Sequence, residues 1–597
     1  MTDLSFSEIQ EYLHRHDRSE LPGLTISVLR NVVVEPLEPY LEYLACRMGF
    51  NAEVSFGSYD NVFQEAVGGD GGLLGPETDA VLVFLKLEGL SWDLARNFNA
   101  LSGEQVRAEA ARLEEHFSRV LSGIRGQTGA MVLWHGLELP AYPAGGILDS
   151  REGEGQSAAV AGLNEFLKKS LRSAGNCYLV DLNLCRLRVG DKDFYDWRYW
   201  HIGRAPYSRE ALREIAGEDF RFIRPLKGRN KKCLVLDCDN TLWGGVVGED
   251  GLGGIVLGRT YPGSAYYEFQ QEALELYHRG VILALCSRND EENVWEVFRS
   301  HPDMVLRREH IAAARIAWQD KATGLRQLAR DLNIGLDSMV FMDDSEFEVE
   351  FVRETLPEVT AIHLPADKAV ENREILAACG LFDTLSLSEE DRKRGAMYQA
   401  EAQRKKLRTQ AADLLNYLKS LEMVLTLSFA DELTVPRIAQ LTQKTNQFNL
   451  TTRRYTEEEI RNLAQSGRAD VFCLRLSDRF GDSGIIGVGI LRYDSGRALI
   501  DEFLLSCRVL GRGVEDAFII RTLKIALGRG CRSATGEYIP TARNGQVKDF
   551  YEKHGFAALE EARGRKAKSF SYDLGQGVGS EPAFFKEITS ERIPDNG

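Results

Sequence analysis

Short apolar runs alternate with helical periodicity through the first two thirds of this chain. The rhythm then shifts to longer strands. Residues 24–29, 80–85 and 178–182 are apolar runs of strand length, separated by stretches with apolar positions every three or four residues. Glycine clusters near 68–76 and 144–155 read as loops. The same alternation resumes with predicted strands at 233–236, 281–286 and 339–342 and predicted helices at 265–279, 290–300 and 320–332. Strand–helix alternation of this kind gives a parallel, doubly wound sheet. The last third predicts strands at 422–427, 470–476, 485–493 and 498–505, then a helix at 513–528. The fold class is therefore α/β: an N-terminal α/β domain (1–225), a central Rossmann-like domain (231–385), a charged connecting helix (386–420), a C-terminal α+β domain (421–575) and a loosely ordered tail (576–597).

Composition narrows the function classes. The formal net charge of −16 argues against a general nucleic-acid binder. No apolar run reaches the roughly 18 residues of a membrane span, and the polar N-terminus lacks a signal core. Ten scattered cysteines without a CxxC pair fit a reducing cytoplasm and leave single thiols available for chemistry. Between Asp391 and Arg408, seven Lys/Arg against two acids leave +5 within an acidic chain. This segment is either a solvated connecting helix or a dock for an acidic partner, with Arg404, Lys405 and Lys406 at its centre.

The chemistry concentrates at predicted strand ends. The run 233–236 ends in Asp237 and Asp239, with Thr241 two positions on. Alternation sends both carboxylates to one side, a costly pairing unless a cation or shared proton relieves it. Ser287 closes the next strand, Lys321 opens a helix, and Asp343 and Asp344 close a third strand. All can face one cleft at the carboxyl edge of an open sheet. A carboxylate there can accept a phosphoryl group and another can move a proton, while hydroxyl and ammonium groups hold phosphate oxygens and acids hold Mg²⁺.

This order, DxDxT then Ser, Lys and DD, resembles the haloacid-dehalogenase-like (HAD) phosphohydrolases. The resemblance implies Asp237 as nucleophile and Asp239 as general acid/base. It implies Thr241, Ser287 and Lys321 as phosphate-binding residues, and a Mg²⁺ site drawn from Asp237, Asp239, Asp343 and Asp344. The segment Asp343-Asp-Ser-Glu-Phe-Glu348 departs from the pattern DDNPxE at Ser345 and Glu346. Cys238 stands where Leu is common, and alternation turns it toward packing.

In the last unit, Cys507 ends a strand and Gly511 and Gly513 precede a helix, a turn whose N–H groups suit a phosphate. With Asn544 and the segment 549–556 it resembles the GNAT-type N-acetyltransferase fold. A strand cysteine usually packs a core. Here Arg508 follows it directly and would favour thiolate. Arg508, Gly511, Gly513, Asn544 and Tyr551 are the implied pantetheine-binding set, and Cys507 a covalent acyl carrier.

HAD and GNAT units in one chain resemble the FkbH-like family (HAD subclass IIIC), across residues 231 to about 560 in segments such as LDCDNTLWGGVVGEDG, LTQKTNQFNLTTRRY and LSCRVLGRGVE. Residues 1–225 resemble the SGNH-hydrolase-like domain fused ahead of that pair. They lack its nucleophile motif, Ser27 to Asn31 standing there instead, so Asp196 and His201 are read as structural. The family implies a phosphatase and acyltransferase of polyketide-type biosynthesis. It would load glyceryl from 1,3-bisphosphoglycerate through Cys507 onto the phosphopantetheine of an acyl carrier protein, with no nucleic acid or membrane involved. The alternatives are a phosphatase acting on another small metabolite and an acyltransferase to an amine.

Overall fold

The computed structural model describes residues 4–68, 72–151, 153, 155–387, 397–398, 400–401, 404, 407–408, 413–541, 543–559 and 567–590, and the counts below refer to these. They form two compact units, Met1–Leu226 and Lys227–Gly597. The first holds five parallel strands, β1 (Gly23–Arg30), β2 (Asn51–Phe56), β3 (Ala80–Phe84), β4 (Met131–His135) and β5 (Cys177–Val180), in the order β2-β1-β3-β4-β5. β3 and β4 are buried along their whole length, as sheets covered by helices on both faces require.

The second unit holds two sheets. One is parallel: β6 (Cys233–Leu236), β7 (Ile282–Ser287), β8 (Ile311–Ile316), β9 (Met339–Asp343) and β10 (Thr360–His363), ordered β10-β9-β6-β7-β8. β6 lies at its centre, all four residues 0% exposed, so its apolar run is continuous rather than alternating. The other sheet is mostly antiparallel. It comprises β11 (Val424–Phe429), β12 (Phe448–Asn449), β13 (Ala469–Asp478), β14 (Gly481–Asp494), β15 (Arg497–Leu505), β16 (Ser533–Tyr538), β17 (Ala557–Ala558), β18 (Lys568–Asp573) and β19 (Glu587–Ser590). Its path runs β17-β18-β16-β15-β14-β13-β11-β19, with β12 paired to β15 off that path. This is the mixed α/β architecture with parallel sheets that the periodicity predicts.

Two expectations are corrected. Residues 576–590 of the tail fold onto the sheet rather than staying loose: β19 pairs in parallel with β11, Phe585 is buried, and Glu581 binds Arg521 and Lys524; residues 591–597 lie outside the described residues. Aromatic and β-forming residues inside a polar, glycine-rich stretch outweigh its composition. The proposed acidic-partner dock also fails at Arg404. That residue is 3% exposed and donates from Nε and Nη2 to both oxygens of Asp478 at 2.7 and 2.8 Å. A guanidinium held bidentate by a buried carboxylate is a structural tie, with nothing left to present to a partner. Lys405 and Lys406 lie outside the described residues.

Candidate functional site

The carboxyl ends of β6, β7 and β9 bring the predicted acid and phosphate groups together. Asp237 follows β6 and is fixed by its N–H donating to Met342 O at 3.0 Å. Asp343 is the last residue of β9, and Ser287 the last of β7. Lys321 opens the helix Lys321–Leu332, whose N-cap Asp320 accepts from Thr323 N. That cap aims the lysine across the sheet end. Its Nζ donates to Asp237 Oδ1 and to Cys286 O (2.8 Å), and pairs with Asp343 Oδ2 at 2.9 Å. Burial comes first among the influences on Lys321 and favours its neutral form. The two carboxylates outweigh it and raise the ammonium pKa.

One oxygen from each of Asp237, Asp343 and Asp344 lies within 4.8 Å of the others. Three hard carboxylate donors at this spacing fit a Mg²⁺ ion. Burial raises the Asp237 carboxyl, with Lys321 opposing and Asp343 adding to it, and a hydrogen bond from Ser287 lowers it. Burial, reinforced by Asp237 and Asp343, raises Asp344 to about 7. Crowded acids with raised values mark a site prepared for a cation. Thr241 is fully buried, and its Oγ1 has no hydrogen-bond partner among the described residues, so this hydroxyl is available to a ligand oxygen.

Asp239 stands apart from that carboxylate cluster. Its Oδ1 accepts from Trp243 Nε1 (2.8 Å) and Val247 N (3.0 Å), and its Oδ2 from Asn289 Nδ2 (2.7 Å). Of the four acids expected at the metal, Asp239 is thus the one whose carboxylate lies outside the cluster. Asn240 adopts φ +54° and turns the chain, so the second carboxylate swings toward Trp243. Burial still raises the Asp239 carboxyl, as a proton donor needs. Trp243 and Asn289 are site residues that the sequence reading missed; Asn289 had a signal, standing two positions after Ser287. Ser345, the departure from the family pattern, caps the helix Glu346–Thr355, and its N–H donates to Asp343 Oδ1 at 2.9 Å.

Cys507 lies elsewhere. It follows β15, is half-buried, and has its carbonyl bound by Asn333 Nδ2 at 2.5 Å. It borders two cavities, one of about 610 Å³ and one of about 340 Å³. The larger reaches Lys231 and Lys232 before β6, Gly280 before β7 and Ser338 before β9, which is the amino edge of the parallel sheet. The acids stand at the carboxyl edge. The length of β6, roughly 13 Å at about 3.3 Å per residue, separates the two places.

The implied pantetheine set divides. Gly511 (φ +76°) and Gly513 (φ +68°) take the left-handed conformations that favour glycine, and a Cβ on Gly513 would meet Phe584 Cζ at 2.5 Å. Gly511 and Arg508 border the smaller cavity with Cys507. Arg508 points its Nε at Ser506 Oγ (3.0 Å) and its Nη1 at Met397 Sδ. Asn544 and Tyr551 are corrected. Asn544 is 0% exposed, its Nδ2 bound to Asn449 O and Ile539 O and its Oδ1 to Thr541 N. Tyr551 is buried among Phe550, Phe556 and Phe570. Both build the core behind the site.

The backbone explains why. β15 and β16 pair only from Arg497/Ser533 to Ile500/Gly536. Beyond that point, Phe448 and Asn449 pair with Leu505 and Leu504, Leu450 N donates to Phe503 O, and Ile539 N donates to Leu450 O. The chain's own segment thus fills the gap between the two strands. Beside it, Glu502 is fully buried, accepts from Thr451 Oγ1 and Phe503 N, and is raised by burial to about 8.

In the N-terminal unit, Ser27 is buried and donates to Leu73 O at 2.7 Å. Asp196 caps the helix Trp197–Gly203, accepting from Arg198 N and Tyr199 N, while His201 on that helix is exposed. Asp196 is thus a helix cap. The reading missed a buried pair, His135 Nε2 and Asp219 Oδ1 at 2.9 Å, which ties β4 to the helix Arg209–Leu226.

No model of a known protein family and no curated protein matches the chain. Among solved structures it is similar to the N-terminal part of a Bacteroides fragilis protein that contains a phosphatase domain and was crystallised with Mg. The likeness spans 64% of this chain and 100% of that one, at 28% identity and a TM-score of 0.58. Two further likenesses are to the ribosomal-protein-S18-alanine N-acetyltransferase of Escherichia coli (16% identity, 27% of this chain, 99% of that one, TM-score 0.21) and to the spermidine N-acetyltransferase of Vibrio cholerae in complex with CoA and spermine (15%, 25%, 96%, TM-score 0.20). No helix among the described residues is long and apolar enough to cross a membrane. The chain is an enzyme, and it shares its fold with a phosphatase-containing protein.

Proposed function

We propose that this chain takes a small phosphorylated acid as its acyl phosphate, carries it as a thioester on Cys507, passes the acyl group to the phosphopantetheine thiol of an acyl carrier protein, and removes the remaining phosphate at Asp237. The observation that carries this reading is a convergent Asp237–Asp343–Asp344–Lys321 cluster in the same compact unit as a half-buried thiol bordering two cavities. The FkbH-like resemblance supplies 1,3-bisphosphoglycerate as the donor.

Each step balances. The Cys507 thiolate attacks the acyl carbon, the C–S bond forms, and the C–O bond to phosphate breaks. At the other site the Asp237 carboxylate attacks phosphorus, and the leaving oxygen takes its proton from Asp239. Water then releases phosphate from the aspartyl group. Ser287, Thr241 and Lys321 hold the phosphoryl oxygens. Asp237, Asp343 and Asp344 would hold a Mg²⁺ ion, which would supply neutralising charge. The pantetheine thiolate displaces Cys507 before the phosphate is removed, so that the carrier brings the phosphorylated acyl group to Asp237.

A second reading, a phosphatase on another small metabolite, is favoured by one observation: the chain itself fills the gap between β15 and β16. Intact-protein mass spectrometry separates the two. Enzyme, Mg²⁺, freshly generated 1,3-bisphosphoglycerate and a pantetheinylated carrier should yield a glyceryl mass on the carrier. That mass should vanish with Cys507→Ala and become phosphoglyceryl with Asp237→Asn. Phosphate release with no adduct on either protein would leave the phosphatase reading standing.

A further inference from the structure

The N-terminal unit holds a cavity that the proposed reaction does not use. Its volume is about 330 Å³, within the range of small-ligand sites, about 300–1,000 Å³. Three connections meet there. Lys86 and Glu88 follow β3, Glu138 follows β4, and Arg186 lies on Leu182–Val189, the helix after β5. The strands are all parallel, so this is the carboxyl edge of the sheet, where open α/β folds take their ligands.

The charges in this cavity are balanced among themselves. Lys86 is 5% exposed, and Asn31 clamps its backbone: Lys86 N donates to Asn31 Oδ1 at 2.7 Å, and Asn31 Nδ2 donates to Lys86 O at 3.0 Å. Lys86 Nζ meets Glu138 Oε1 at 3.3 Å and Glu88 Oε2 at 3.7 Å. Arg96 pairs with Glu88 at 2.9 Å and Arg186 with Asp191 at 3.4 Å. Each lining cation thus has a lining acid, and the cavity asks no net charge of a ligand. One polar atom stays unused. Tyr207 Oη and Lys86 Nζ both donate to Glu138 Oε1, at 2.8 and 3.3 Å. Oε2 of this side chain, itself 5% exposed, has no hydrogen-bond partner among the described residues. The cavity also has an aromatic side. Tyr195 and Trp197 stack with ring centres 4.8 Å apart, and Trp197 is 46% exposed.

These features select a ligand. An anion or a cation would compete with an ion pair already formed. An alkyl chain would strip water from Glu138 Oε2 and put no donor in its place. A sugar ring does neither. Adjacent hydroxyls can donate to Oε2 and accept from Lys86 Nζ, while the C–H face of the ring lies against an aromatic. We infer that this cavity is a binding site for a neutral saccharide. The site stands apart from the proposed function and needs no acyl transfer.

Saturation-transfer difference NMR on the full-length protein tests it. The probes are glucose, galactose, N-acetylglucosamine, maltose and cellobiose, each titrated to about 10 mM, enough to populate a site of mM affinity. Glucose 6-phosphate, glucosamine and adenosine are the counter-probes. At least one neutral sugar should receive saturation, most strongly at its ring C–H protons. Trp197→Ala removes a half-exposed ring and should weaken the signal several-fold. Glu138→Gln should raise the Kd about tenfold, since a charged acceptor is exchanged for a neutral one. No transfer to any neutral sugar, transfer undiminished in either variant, or tighter binding of a counter-probe would overturn the inference.

Discussion

Lys321 meets two carboxylates with one ammonium inside a nearly closed site. Removing it leaves Asp237 and Asp343 buried together without a counter-charge. Breaking a buried pair on one side costs about 3–5 kcal/mol. Lys321→Met should therefore lower stability by about that much in urea unfolding, and added Mg²⁺ should restore part of it. A loss unaffected by Mg²⁺ would mean that the acids do not share a cation site. Glu502 makes the complementary case in the last unit. The unfolded carboxyl ionises near 4.5, while the folded one keeps its proton to about 8. The folded state thus binds more protons in that window, and stability falls as pH rises through it. Glu502→Gln should match the parent near pH 4.5 and exceed it by up to about 4 kcal/mol at pH 8. Parallel curves for the two proteins would contradict this. These residues differ in legibility. Asp237, Lys321, Ser287 and the Asp343–Asp344 pair could be placed from sequence because each terminates or opens an element with a clear hydrophobic pattern. Asp239's partners could not, because a turn at Asn240 decides where its carboxylate goes, and alternation along a strand no longer applies there.

Among elements, the long apolar runs were readable and the short or mixed ones were not. β6, β7 and β9 match their predicted spans within about one residue because burial on both faces gives them unbroken apolar character. β8, sequence Ile-Ala-Ala-Ala-Arg-Ile, and β10, four residues long, carry too little pattern to separate strand from loop. β12 is two residues long and is specified entirely by its neighbours. Asn544 clamps that segment, joining Asn449 O to Ile539 O through one amide. Asn544→Ala would orphan both carbonyls and should cost about 1–3 kcal/mol in thermal or urea unfolding. Faster hydrogen exchange at Leu450 and Ile539 should accompany it. Unchanged exchange there would show that the strand pairing alone holds the segment.

In the second unit taken whole, the thiol and the acids occupy opposite edges of one parallel sheet, so their chemistry should separate. EDTA should abolish removal of the acyl group's remaining phosphate yet leave donor-dependent acylation of Cys507 intact, so that a phosphorylated acyl adduct persists in mass spectrometry. Simultaneous loss of both would show that the two edges are not independent. The smaller scales meet here in the last described strand. β19 covers the outer flank of β11, whose row of N–H and C=O groups would otherwise face solvent. An uncovered flank is a template for any passing extended chain. Among the described residues β19 becomes the edge in its place, and its four residues offer a shorter template than the six of β11. A protein shortened before Glu581 would be threatened less by melting than by self-association, with its solubility set by concentration.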